Sequence, residues 1–216
     1  MNMTQKAVIF DMDGVIIDTE RLWKQAEKEI FSSLGVNVTN EYTEITKSMT
    51  TIDVTKFWFN KFPWQNINLD TVEQMVISRV IQLIDKEDCE IYGVKGFIER
   101  LKAKDYKIGL ATNSPNSLIP AVLQKLDALH LFDTVSSAEF EVNGKPDPAI
   151  YLTTAAKLNV TAINCVAIED SYSGMLAAKK AGMTVIAFTN GNTEMNFDIA
   201  DFKIDRFDDF DIDRLN

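Results

Sequence analysis

The chain has 216 residues, 46% of them hydrophobic and 25% charged, with a formal net charge of −10. This is the composition of a soluble globular protein with ample material for a core, long enough for one large domain or a main domain with a smaller companion. Lys179-Lys180 is the longest basic run, so nothing resembles the basic patch of a nucleic-acid binder, and an anionic membrane surface is disfavoured for the same reason.

In chain order, MNMTQKAVIF meets Asp11 too early for a signal peptide. No stretch reaches the about 18 apolar residues of a membrane span. Residues 6–10, KAVIF, are apolar, β-branched and unalternating, as in a buried strand of a parallel sheet. Leu22, Ala26, Ile30 and Leu34 then mark one face of an amphipathic helix that Gly35 ends. The aromatic stretch TKFWFNKFPW follows, and Val72, Val76, Val80 and Ile84 repeat the helical spacing. Beyond it, strands are expected at KIGLAT (107–112), DTVSS (133–137), CVAIE (165–169) and TVIAF (184–188). Helices are expected between them at 94–104, 117–126, 148–158 and 173–181. The tail FKIDRFDDFDIDRL reads as a weak strand and a mostly solvated acidic segment.

Strand–helix alternation implies an α/β fold with a doubly wound parallel sheet. The all-helical stretch implies a small cap domain inserted after the first strand, giving a core of 1–17 with 90–216 and a cap of 18–89. Hinges are expected near 15–19 and 89–93. Cys89 and Cys165 match no metal-ligand spacing. They are expected as small buried or surface thiols, suited to a reducing compartment and a cytoplasmic location.

Two carboxylates, Asp11 and Asp13, stand where the first strand ends, the edge of a parallel sheet where ligands bind. An aspartate there is commonly a turn or cap residue. Three further stretches point elsewhere. ATNS (111–114) ends another strand with a hydroxyl, Thr112, and with the backbone N–H of Asn113, expected at a helix entry where anions are favoured. Such residues are more often simple caps. Lys145 lies between glycine and proline in NGKPDP, a rigid loop that would fix a lysine that elsewhere would be solvated. AIEDS (167–171) ends a strand with Glu169 and Asp170. Four carboxylates at two strand ends would repel strongly without a cation, and Mg²⁺ suits such oxygen ligands.

The order DMDGV, Thr-Asn strand end, Lys-Pro and Glu-Asp resembles the haloacid dehalogenase superfamily over essentially the whole chain, including a Rossmann-like core with a helical cap after the first motif. The resemblance implies Asp11 as nucleophile, forming an aspartyl phosphate, and Asp13 as general acid and then base. It implies Thr112, the Asn113 amide and Lys145 as holders of the phosphoryl oxygens. Mg²⁺ would be bound by Asp11, Asp13 through its backbone carbonyl, and Asp170, with Glu169 binding or orienting through water. Hinged cap motion would exclude and then admit water.

Within the family, Asp13 argues against halide displacement, which needs no acid. No local motif marks Lys24, Lys28, Lys47 or Lys56 as an imine-forming lysine. TERLWKQ lacks the histidine, and SMTTIDVT the arginine, of the related sugar-phosphate mutases. His130, the single histidine, is assigned a structural place. The expectation is therefore a phosphatase of small phosphorylated sugars or sugar alcohols, resembling members that act on hexose and hexitol phosphates. A β-phosphoglucomutase-like mutase is the alternative, and a catalytically idle phospho-ligand binder the different-class rival. Glu20, Ser48, Lys47 and Thr50 are candidates to contact substrate. Trp23, Trp58 and Trp64 are candidate pocket residues that equally suit a cap core. The expected partner is a small phosphate ester, with neither nucleic acid nor membrane, and a monomer suffices.

Overall fold

The computed structural model describes residues 5–46 and 49–215. The chain divides into two compact units, one from its two ends, up to Asp18 and from Glu90 onward, the other from Thr19–Cys89.

The first unit is built on six parallel strands, β1 (Ala7–Phe10), β2 (Lys107–Thr112), β3 (Thr134–Ser137), β4 (Cys165–Glu169), β5 (Thr184–Phe188) and β6 (Phe202–Ile204). Their order is β3-β2-β1-β4-β5-β6. The β1 side chains are wholly buried, as the unalternating apolar sequence requires of a central strand covered on both faces. Ala7 and Ile9 join Tyr151 and Ala155 of α7 (Ala149–Lys157) and Met175 and Ala178 of α8 (Tyr172–Lys180) in one core layer. On the other face Phe10 meets Phe97 of α5 (Val94–Ala103) edge-on at 6.3 Å. The strand order reverses direction at the β1/β4 pair, where Phe10 lies opposite Ile168. A crevice opens beyond the carboxyl ends of strands at such a switch point, and Asp11 and Glu169 stand there.

The second unit is all-helical, inserted after β1: α1 (Glu20–Ser33), α2 (Asn40–Thr46), α3 (Thr51–Lys61) and α4 (Leu69–Lys86). The expected stripes are its core, with Leu22 and Ala26 of α1 and Val72, Val76, Val80 and Ile84 of α4 all buried. Gly35, at φ +83°, ends α1 where a side chain would be strained. Trp58 is fully buried and Trp64 nearly so, with centroids 5.9 and 6.1 Å from Phe31; these two indoles are cap core. Thr50 Oγ1 accepts from the Asp53 N–H at 3.3 Å and caps α3. Among the described residues no helix is long and apolar enough to cross a membrane.

The tail departs from expectation. Beyond β6, Phe207, Phe210 and Ile212 are buried, and the Phe207 ring stacks on Phe188 at 4.5 Å. Its aromatics face inward while Asp208, Asp209 and Asp211 stay exposed. Charge content alone hides that alternation. The helix expected over 117–126 also starts late: Asn116–Leu118 form a 3₁₀ turn and α6 covers Ile119–Lys125.

Candidate active site

Asp11 follows β1 directly, and its N–H donates to the Ile168 carbonyl at 2.9 Å, continuing the ladder to β4. That contact sets Asp11 beside Glu169 and Asp170. Carboxylate oxygens of these three residues lie within 4.8 Å of one another. Asp11 and Glu169 are buried and Asp170 is half-buried.

Among the described residues one cation answers this charge. Lys145 Nζ donates to Asp11 Oδ1 at 2.5 Å, Glu169 Oε1 at 2.6 Å and the Ala111 carbonyl at 2.8 Å. An ammonium has three donors, and all three are engaged. The loop carrying Lys145 is clamped. Its Lys145–Pro146 peptide is cis, Lys180 Nζ donates to the Pro146 carbonyl at 3.1 Å, and Asp147 Oδ1 accepts from the Ala149 N–H at 2.9 Å.

Asn113 departs from its expected setting. It lies in a bend before the 3₁₀ turn, not at a helix entry, because residues 113–115 do not continue into helix. Its side chain clasps the lysine instead: Lys145 N–H donates to Asn113 Oδ1 at 2.9 Å, and Asn113 Nδ2 donates back to the Lys145 carbonyl at 3.4 Å.

The Asp13 carboxylate is outside the three-carboxylate group. Its Oδ2 accepts from Thr112 Oγ1 at 3.2 Å and from Ser114 Oγ at 2.7 Å. Ser137 Oγ at the end of β3 secures Ser114 through its carbonyl at 2.7 Å. Two acids two positions apart thus occupy different environments, one against an ammonium and one against hydroxyls.

Electrostatics follow the geometry. Burial pushes the Asp11 carboxyl well above its ordinary value; Lys145 draws it back, and Glu169, Asp170 and Asp13 raise it again. Burial, reinforced by Glu169, pushes Asp170 up to about 7. Burial acts to lower Lys145, but Asp11 and Glu169 reverse that and hold the ammonium above its usual range. Three clustered carboxylates face one lysine, so their full ionisation leaves an excess of negative charge. With an all-oxygen donor set and two buried carboxylates, the site fits a hard divalent cation such as Mg²⁺.

Two glycines make room for this group. A side chain at Gly14, which sits at φ +81°, would overlap the Asp170 carboxylate, and one at Gly174 would overlap that of Glu169. Sequence reading missed Ser114, Tyr151, Ser171 and Gly174. Tyr151 O–H donates to Glu169 Oε1 at 2.5 Å, and Ser171 Oγ to Glu169 Oε2 at 3.0 Å. The available signal was a tyrosine on the core face of a helix, which must find a partner for its hydroxyl.

Other candidates lie elsewhere. Glu20 begins α1 and pairs with Lys24 at 2.8 Å within the helical unit. Ser48 and Lys47 lie outside the described residues. His130 is exposed in a turn after α6. Cys89 and Cys165 are buried free thiols, and burial pushes Cys165 up to about 11, which suits packing and not nucleophilic chemistry.

Known proteins resemble this chain over most of its length. Residues 8–188 match the family model for haloacid dehalogenase-like hydrolases. The chain is 37% identical over 202 residues to hexitol phosphatase B of Escherichia coli K12, covering 92% of this chain and 90% of the relative. It is 31% identical over 205 residues to the β-phosphoglucomutase of Bacillus subtilis, covering 90% and 88%. A solved β-phosphoglucomutase from Clostridium difficile superimposes with a TM-score of 0.82 at 27% identity, over 98% of this chain and 96% of that one. CbbY from Rhodobacter sphaeroides, solved with phosphate, gives a TM-score of 0.85 over 95% and 96%, and at 24% identity shows the shared fold.

Proposed function

The chain belongs to the haloacid dehalogenase-like hydrolases, and we propose that it is a Mg²⁺-dependent phosphatase of small phosphorylated sugars or sugar alcohols, working through an aspartyl phosphate on Asp11. One observation carries this reading: carboxylate oxygens of Asp11, Glu169 and Asp170 lie within 4.8 Å of one another, and the Lys145 ammonium pairs with the first two. The relative named hexitol phosphatase B favours a hexitol phosphate as substrate.

In this reading an Asp11 oxygen attacks phosphorus as the bond to the sugar oxygen breaks. Asp13, oriented by Thr112 and Ser114, gives that oxygen its proton. Asp13 then takes a proton from water, which attacks phosphorus, releases inorganic phosphate and restores Asp11. Asp11, Asp170 and the Asp13 backbone carbonyl would hold Mg²⁺, with Glu169 binding or orienting beside them; the bound ion supplies positive charge that keeps Asp11 ionised and offsets the charge of phosphate. The Asn113 amide would face the phosphoryl oxygens, and Thr112, whose one O–H now donates to Asp13, would join it by releasing that acceptor. Lys145 can join them only by exchanging one of its present acceptors, since its three donors are engaged. Glu20 and Ser48 remain candidates for substrate contact.

The alternative is a sugar-phosphate mutase, favoured by the 31% identity to β-phosphoglucomutase and disfavoured by the absence of histidine from TERLWKQ and of arginine from SMTTIDVT. A screen of hexose and hexitol phosphates with Mg²⁺, run beside β-glucose 1-phosphate, separates them. Phosphatase activity yields free phosphate from several esters. Faster formation of glucose 6-phosphate than of phosphate would make the chain a mutase. Tight metabolite binding without turnover on any ester would leave a phospho-ligand binder.

A further inference from the structure

We propose that Tyr151 is a positioning residue of this site, acting through Glu169 to hold the Lys145 ammonium on the Asp11 carboxylate; this rests on the phosphatase reading above. Glu169 is wholly buried at the end of β4, and both its oxygens are held. Oε2 accepts from Ser171 Oγ at 3.0 Å. Oε1 accepts from Lys145 Nζ at 2.6 Å and from Tyr151 O–H at 2.5 Å. The Tyr151 ring also lies beneath the ammonium, with Nζ 5.0 Å from its centroid, inside the range of cation–π attraction. One side chain of α7 therefore touches both members of the ion pair, through its hydroxyl and through its face.

The geometry has a consequence for catalysis. If Lys145 turns one donor from its present acceptors toward a phosphoryl oxygen, its hold on Glu169 must survive the exchange. Without the phenol O–H, Oε1 would depend on Lys145 alone, and once Lys145 turned away only the Ser171 contact to Oε2 would orient the carboxylate. Loss of that orientation would disturb the pair and the adjoining oxygens of Asp11 and Asp170 together. Ring packing alone asks only for the shape of the side chain, which phenylalanine keeps.

The test compares the wild type with Tyr151→Phe, Glu169→Gln and the double variant. Calorimetric titration of Mg²⁺ into the metal-free proteins, without substrate, reads the site directly, and steady-state phosphate release reads kcat and KM separately. A hydrogen bond to a charged group is strong enough for about a tenfold effect. The expected results are a Mg²⁺ midpoint raised severalfold and kcat lowered about tenfold with KM within twofold in Tyr151→Phe. In the Glu169→Gln background the same change should have less than a twofold effect, since residues acting through one another are non-additive. Should Tyr151→Phe fail to fold, 3-fluorotyrosine placed at position 151 keeps the ring and the hydroxyl while altering its donor strength, and a Mg²⁺ midpoint and kcat unmoved by it would overturn the role. A Tyr151→Phe protein with wild-type Mg²⁺ midpoint and kcat, or a tyrosine effect undiminished by Glu169→Gln, would overturn the positioning role. A wild type that binds Mg²⁺ but releases phosphate from no ester would overturn the phosphatase reading, and the role with it.

Discussion

Lys145 makes three contacts with three donors, and two of them end on carboxylates buried with it. Removing one partner of a buried pair typically costs about 3–5 kcal/mol, because the remaining charge is left uncompensated. Lys145→Met should therefore lower unfolding free energy by about that amount in metal-free protein, as read by chemical denaturation, and abolish phosphate release. A variant as stable as wild type would mean that the carboxylates do not depend on the ammonium. Gly174→Ala probes the same group from the opposite side. A Cβ there overlaps the Glu169 carboxylate, so the expected outcome is a displaced Glu169 and a weakened Mg²⁺ midpoint, measurable by calorimetry. An unchanged midpoint would show that Glu169 has room to move. A single methyl group thus distinguishes a rigid setting from a yielding one, and Gly174 could not have been marked from sequence, where a glycine in the first turn of a helix reads as a weak helix former.

At the scale of elements, α1 carries a half-buried carboxylate with no partner among the described residues, Glu27. Burial pushes it from 4.5 up to about 7. Protonation is favoured in the folded state, so stability falls as pH rises between those values and the penalty is complete above about 7. Glu27→Gln should consequently stabilise the protein at pH 8 and change little at pH 4, as read by denaturant midpoints at the two values; equal shifts at both would contradict the assignment. The elements themselves are largely legible, because an unalternating apolar run such as KIGLAT marks a buried strand and the four-residue spacing of Val72, Val76 and Val80 marks a helix face. Composition misleads at the C-terminal segment, where acids dominate the count while buried phenylalanines decide packing. The sequence pattern suffices to place Asp11, Asp13, Glu169 and Asp170 at strand ends and Lys145 in a loop before a helix. It does not mark Tyr151 and Ser171, since their importance comes from a contact with Glu169 that no local spacing encodes. Asn113 was read for its backbone amide, whereas its side chain proves to clamp the Lys145 loop.

At the scale of the whole molecule, the parallel sheet brings the ends of β1, β2 and β4 together, so residues more than a hundred positions apart share one cluster of charge. Carboxylates outnumber lysines in that cluster, so a divalent cation is expected to stabilise its ionised form. Saturating Mg²⁺ should raise the melting temperature, by linkage worth about 2.7 kcal/mol at a hundredfold excess over Kd, and a chelator should reverse the rise. A melting temperature indifferent to Mg²⁺ would remove the metal from the site. The helical unit has its own core, and substrate choice is expected to respond to changes in its polar residues more than in Trp58 or Trp64, whose rings are buried against Phe31. The most direct measurement of the covalent chemistry is the intact mass of protein quenched in acid during turnover of a hexitol phosphate. Wild-type protein quenched within the first turnovers should carry one phosphoryl group, mapped to Asp11 by fragmentation and absent after Asp11→Asn. Full phosphate release by the Asp11→Asn protein, or turnover that never leaves a phosphoryl group on the chain, would contradict a nucleophilic Asp11.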